Sequence, residues 1–409
     1  MKFASLSKEV LARIVPNAQE RKETLGKVHA FVKELNVQLK RNRIPAKAVL
    51  GGSYAKDTWL SGDYDVDVFV RFSPKVKENL SDLLGKALGK WNPERIHGSR
   101  DYFWVRDSVK YEIVPVLDIK KAVQAQSVTD FSPLHVAWVN GNGKKFKNDI
   151  RLVKKFCKAA HCYGAESYIR GFSGHVVDIL TIHYKGFLGL LKNATKWKPK
   201  VVVDHNNVYK CKALLMLNKS KIEGPLVVVD PVQPDRNAAA ALTLENLERF
   251  VASAKAFLKK PSSSFFVEQK IDFAKLSKKG HLVKVEVKTL DQREDVAGTK
   301  FVRAFEHARR ELDEFGVKDA GWVWDKNANG VWWFVLKENK LSKLVDWQGP
   351  PLKIAPAVAQ FKKIYKKTFT KKGRVWVKIV REERTPKDVL NRVLGDEFVR
   401  SRVVTSRLV

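Results

Sequence analysis

No stretch constrains this 409-residue chain more than the run from Gly51 to Phe72. It opens Gly51-Gly52-Ser53-Tyr54-Ala55-Lys56. After Thr58-Trp59-Leu60-Ser61-Gly62 it continues Asp63-Tyr64-Asp65-Val66-Asp67-Val68-Phe69-Val70. The second half alternates carboxylates with apolar or aromatic residues, the period of a strand with one buried face. Asp65 and Asp67 stand two apart, so both leave the same face. Neighbouring carboxylates repel unless a cation sits between them. A divalent ion does this, and hard oxygen ligands suit Mg²⁺. Upstream, Leu50-Gly51-Gly52-Ser53 reads as strand end, tight turn and helix start. Glycine lets backbone approach a ligand, Ser53 can cap the helix, and a helix N-terminus attracts phosphate. Together these features point to metal-dependent transfer at a triphosphate. A bare Asp-x-Asp is more often a solvated strand face, and the Gly-Gly-Ser turn is what lifts the functional reading.

Charge gives the partner class. Lys and Arg total 77 against 44 acidic residues, a net charge of +33. A high-salt or thermophilic surface is the ordinary explanation, but that bias adds Glu as well as Lys. An excess of one sign favours a polyanion, with nucleic acid ahead of anionic membrane. No apolar run approaches about 20 residues, and Met1 to Glu9 lacks a signal-peptide core. The three cysteines, Cys157, Cys162 and Cys211, fit neither a disulfide framework nor a zinc spacing, which predicts a reducing cytoplasm. Nine histidines are scattered without a His-x-x-x-His pair, which excludes a common zinc-enzyme pattern.

In chain order, the spacing of Leu25, Val28, Val32, Leu35 and Leu39 predicts a long helix, and Ala46–Leu50 a strand delivering the glycine turn. Asn79 to Trp91 reads as a helix. Val109 to Val116 reads as a strand carrying one acid, Glu112. Phe131-Ser132-Pro133-Leu134-His135 turns into a helix, and Gly141 to Lys145 reads as a flexible break. From Asp149 to Ala160 an amphipathic helix carries Arg151, Lys154, Lys155 and Lys158 as a basic stripe, commonly a solvated face. Tyr163-Gly164-Ala165-Glu166 and Tyr168 to Gly174 lead into a helix from Ser173. Gly224 to Pro231 is a buried strand, followed by Asp235-Arg236-Asn237 and a helix opening near Thr243.

The Gly51-Gly52-Ser53 turn with Asp65-Val66-Asp67 a dozen residues on resembles the signature of the polymerase-beta-like nucleotidyltransferases. The wording from Gly51 to Leu60, the Tyr163–Gly174 run and the Asp230-Pro231 to Arg236-Asn237 run resemble one branch more closely. That branch is the archaeal, class I CCA-adding enzymes, which rebuild the 3′-terminal CCA of tRNA without a template. The resemblance is specific over about Val49–Arg71 and Asp149–Asn237. Beyond Pro261 it rests on order and pattern. It implies two Mg²⁺ ions held by Asp65, Asp67 and a third strand carboxylate, with CTP, ATP and tRNA as partners, no membrane, and room for a homodimer. Glu112 takes the third place where the family pattern has Asp, and Asp118 is the fallback. Nucleotide contacts carry over to Gly52, Ser53, Lys56, His135, Lys154, Tyr163 and Arg236. Structural uses compete: a lone His near a helix is usually a satisfied core residue, and Arg236 can equally pair with Asp230 or Asp235.

The expected fold class is α+β: a mixed-sheet catalytic head (1–142), a helical neck (143–261), and a mixed C-terminal body and tail (262–409). In the last third, His281–Val287 reads as a strand and Phe301 to Phe315 as a helix. Two aromatic strands flank Asn329-Gly330 as a hairpin. A helix from Ala357 precedes a strand at Arg374–Arg381, and Thr385-Pro386 caps a final helix. Lys362, Lys363, Lys366 and Lys367 belong to the densest basic patch and fit contacts to the tRNA backbone. A poly(A) polymerase-like or oligoadenylate-type transferase, or a catalytically silent RNA-binding protein, are the competing functions.

Overall fold

The computed structural model describes residues 3–63, 65–107 and 109–409. Met1, Lys2, Ser108 and the Tyr64 of the alternating run lie outside the described residues. The fold is α+β, in two compact units, Met1–Gln269 and Lys270–Val409. No helix among the described residues is long and apolar enough to cross a membrane.

The first unit holds a sheet of five strands: β1 (Ala46–Leu50), β2 (Asp65–Phe72), β3 (Glu94–Ile96), β4 (Tyr102–Arg106) and β5 (Lys110–Leu117). Their order is β1-β2-β5-β4-β3. β2 and β5 run parallel and the other pairs antiparallel. Alternation along β2 sends Val66, Val68, Val70 and Phe72 into one core with Val28, Phe31, Leu35 and Leu39 of the helix Ala18–Arg41. Leu84 and Leu88 of the helix Leu80–Leu88 close the same core. Asn17 and Asn79 start these two helices by accepting backbone N–H groups, as short polar caps do.

A second core in this unit is helical. It gathers Phe3–Ile14, Lys147–Ala159, Gly174–His183, Phe187–Ala194 and Leu244–Lys259. Phe156 lies at its centre, with the rings of Phe187, Phe250, Phe257 and Phe266 each about 6 Å away. A two-stranded parallel pair, Val201–Val203 with Leu226–Val228, lies beside it. The expected break at Gly141–Lys145 is instead structured. Gly141 and Asn142 end the helix Ser132–Asn142, and a 3₁₀ turn, Lys144–Phe146, leads directly into Lys147–Ala159.

In the second unit the strands Val403–Leu408, His281–Thr289, Asn329–Leu336 and Val317–Trp324 form an antiparallel sheet in that order. Phe301, Phe305 and Ala308 of the helix Glu294–Glu311 are buried in this unit. A second sheet orders Leu344–Pro351, Arg374–Val380 and Thr368–Lys371. Three sequence readings need correction here. Asn329-Gly330 opens a strand and is not the hairpin turn, which spans Asp325 to Ala328. Leu344–Pro351 is a strand the sequence did not suggest. The helix Pro386–Gly395 is not the final helix, because a short one follows at Glu397–Arg400, and a strand at Val403–Leu408 comes after it.

Candidate active site

β2 and β5 pair in parallel register, with Asp67 opposite Glu112 and Asp65 opposite Lys110. Asp67 is folded under the glycine turn. A Cβ on Gly52 would lie 1.6 Å from Asp67 Oδ2, and Gly52 has φ +48°. Only glycine fits there, for space and for backbone conformation alike. The Gly51 N–H donates to the Asp67 carbonyl at 2.8 Å, which fixes the turn against the strand. Ser53 is not the cap it was expected to be. Gly51 precedes the short helical turn Gly52–Ala55, and Ser53 lies inside it.

Burial, opposed by the Lys56 charge and aided by that of Asp65, raises the pKa of Asp67. Glu112 is pushed up to about 7, first by burial and then by the charge of Asp67. Trp104 Nε1 donates to Glu112 Oε2 at 3.3 Å. Asp118 comes directly after β5, six residues beyond Glu112 and about 20 Å from it along an extended chain. It is ion-paired with Arg71.

The helix Lys147–Ala159 brings up the cations. Its basic stripe is not a solvated face throughout, because Arg151 and Lys154 are buried. Arg151 donates to the Trp59 carbonyl and to Asp57, bracing the segment after the glycine turn. Lys154 Nζ donates to the carbonyl and hydroxyl of Thr58 at 3.1 and 3.3 Å. Burial takes its pKa down to about 8, with the Asp178 carboxylate opposing. Lys56 Nζ donates to Asp178 Oδ2 at 2.6 Å. Asp178 is fully buried on the helix Gly174–His183, whose cap is Ser173. Tyr163 joins this group: Lys158 Nζ lies 5.4 Å from its ring centre. Burial pushes the tyrosine pKa up, and the charges of Asp178 and Asp63 add to it. Asp65, Asp67, Glu112, Lys56, Lys154 and Tyr163 thus share one electrostatic neighbourhood.

His135 and Arg236 form a separate group around Asp230. His135 Nε2 lies 3.0 Å and Arg236 Nη1 3.0 Å from Asp230 Oδ2. The backbone N–H groups of Val232 and Gln233 donate to Oδ1. Burial opposes ionisation of Asp230, but the hydrogen bond from His135 and the His175 imidazole 3.5 Å away hold its pKa well below the carboxylate range. Burial takes His135 down to about 4, leaving it neutral at pH 7. His175, which the sequence reading passed over, completes a triad whose ligand atoms lie within 4.8 Å of one another. Two imidazoles and a carboxylate suit a transition ion better than Mg²⁺. The Arg236 guanidinium on the same oxygen opposes any cation there. The triad assembles from three distant segments, so no local spacing marks it. Lys362, Lys363, Lys366 and Lys367 lie in the other unit, exposed on and just after the helix Ala355–Ile364.

Residues 32–130 match the family model described as nucleotidyltransferase domain, and residues 148–267 that of the tRNA nucleotidyltransferase second domain. The CCA-adding enzyme of Nanoarchaeum equitans is 37% identical over 291 residues, spanning 69% of this chain and 72% of that protein. That of Thermococcus kodakarensis is 31% identical over 414 residues, 96% of this chain and 89% of its own. Among solved structures, a cytoplasmic RNA terminal U-transferase superposes with a TM-score of 0.52 at 16% identity, covering 66% of this chain and 99% of that one. At that identity the likeness is one of fold alone.

Proposed function

The chain belongs to the family of CCA-adding enzymes, and from that premise we propose how its residues rebuild the 3′-terminal CCA of tRNA from CTP and ATP. The head (1–142) carries the reacting groups, the neck (143–261) grips the nucleotide, and the body and tail (262–409) hold the tRNA. The 3′-hydroxyl oxygen attacks the α-phosphorus in line, an O–P bond forms, and pyrophosphate leaves on the opposite side. Asp65, Asp67 and Glu112 offer three crowded, mutually repelling oxygen donors, the chemistry that suits two Mg²⁺ ions. Bound there, Mg²⁺ would acidify the attacking hydroxyl and neutralise the triphosphate.

The rest is positioning by this chain. The Gly52-Ser53 turn and the ammonium groups of Lys56 and Lys154 face the triphosphate. Tyr163 orients the sugar end. His135 and Arg236, braced on Asp230, meet the nucleotide, and Arg236 supplies fixed donors for telling CTP from ATP. One observation carries the assignment: Asp67 is locked beneath Gly52 and stands in register with Glu112. Incubating the protein with tRNA lacking CCA, Mg²⁺ and single labelled nucleotides, then sequencing the 3′ ends, tests it. The expected parent products are cytidines alone from CTP and complete CCA once CTP and ATP are both supplied, with neither from Asp67→Ala. Open-ended tails from ATP alone would overturn it. Glu112→Gln should be severely impaired and Asp118→Asn mild, and the reverse ranking would move the third ligand to Asp118.

A further inference from the structure

A glutamate carries its carboxylate one methylene farther than an aspartate, with one more torsion to fix. The structure shows what fixes Glu112. Trp104 stands directly opposite it in the antiparallel β4–β5 register. Phe103 and Val105 are buried in the core, so alternation puts Trp104 on the carboxylate face. Its Nε1–H donates to Glu112 Oε2 at 3.3 Å. Its ring face lies 4.4 Å from Lys110 Nζ, and that ammonium is 3.4 Å from Asp65 Oδ1. A single indole therefore reaches both ends of the carboxylate cluster, by its edge and by its face.

We propose that Trp104 is a positioning residue for divalent-cation binding, holding the Glu112 carboxylate directly and the Asp65 carboxylate through Lys110. This rests on the reading of Asp65, Asp67 and Glu112 as the metal-binding set. Partners that orient a ligand side chain typically contribute about 10–100-fold to metal affinity.

The test is Mn²⁺ titrated into the full chain, without nucleotide or tRNA, and followed by electron paramagnetic resonance. Trp104→Phe keeps the packing and removes the N–H, and it should weaken Mn²⁺ binding about tenfold. In a Glu112→Asp background the shorter side chain no longer reaches the indole, and the same change should cost less than about twofold. Equal losses in both backgrounds, or no loss in either, would overturn the proposal. Trp104→Leu gives a second measurement should Trp104→Phe fail to fold. Glu112→Gln separates the two readings. If it binds Mn²⁺ and adds nucleotides like the parent, the metal-site assignment itself falls. If it is impaired while Trp104→Phe is neutral, only the role of Trp104 falls.

Discussion

At the scale of single residues the tightest constraint is the contact between Gly52 and Asp67. Gly52→Ala would place a methyl 1.6 Å from Asp67 Oδ2 at a φ of +48°, so the carboxylate has to move. A displacement of about 1 Å at a reacting centre costs on the order of 100-fold in rate. Gly52→Ala should therefore lose that much nucleotide addition while still melting cooperatively; turnover near the parent's would break the link between turn and carboxylate. Lys154 gives a pH signature. Its pKa is lowered to about 8 by burial; Asp178 from the helix Gly174–His183 and Asp63 before β2 favour its charge, while Lys56 and Lys158 oppose it. KM for CTP and ATP should rise as pH passes 8 and the ammonium is lost, and Lys154→Met should abolish that rise. Stability has the opposite slope. Between about pH 8 and 10.5 the unfolded chain keeps a proton that the folded chain has released, so stability from this group increases with pH across that window. The Asp65–Asp67 pair was legible because its geometry is local, two positions on one strand. The Lys56–Asp178 pair was not, because it joins residues 122 positions apart.

Secondary-structure elements were legible where side chains mark their own ends. Asn17, Asn79, Ser173, Thr243 and Thr385 each accept a backbone N–H at a helix start. The misreadings arise where a side chain or a sheet edge overrides a local signal. Asn329-Gly330 has the composition of a turn, yet the Asp325 carboxylate accepts the N–H groups of Asn327, Ala328 and Asn329 and builds the turn four residues earlier. Gly330 is needed for another reason: a Cβ there would lie 2.5 Å from the Phe301 ring. Leu344–Pro351 escaped notice because Gly349-Pro350-Pro351 reads as a breaker. It is an edge strand with a register shift between Gln348 and Pro351, where missing donors are tolerated. The aromatic helical core of the first unit permits a test at this scale. Phe156 is 1% exposed among five other phenylalanine rings. Phe156→Ala should cost about 3–5 kcal/mol in urea unfolding. A loss below about 1 kcal/mol would mean the surrounding rings close the cavity.

For the molecule as a whole, the question is what tells tRNA from other RNA. On the proposed mechanism the carboxylate cluster needs only a 3′-hydroxyl and a triphosphate, so substrate choice has to be measured elsewhere. A net charge of +33 supplies the means. Lys362, Lys363, Lys366 and Lys367 are exposed in the second unit, and among the described residues none of the four enters an ion pair. Contrast Lys371, which is held 3.0 Å from Asp346. Unpaired exposed lysines release counterions when they meet phosphates, so tRNA affinity should fall steeply with salt. Changing the four to Ala should raise KM for tRNA and flatten the slope of log affinity against log salt by about 0.7–0.9 for each phosphate no longer neutralised. KM for CTP should stay within about twofold, because the groups proposed to bind the nucleotide belong to the other unit. If the quadruple variant keeps the parent's tRNA affinity and salt slope, these lysines serve solubility alone and the tRNA runs along a different basic surface.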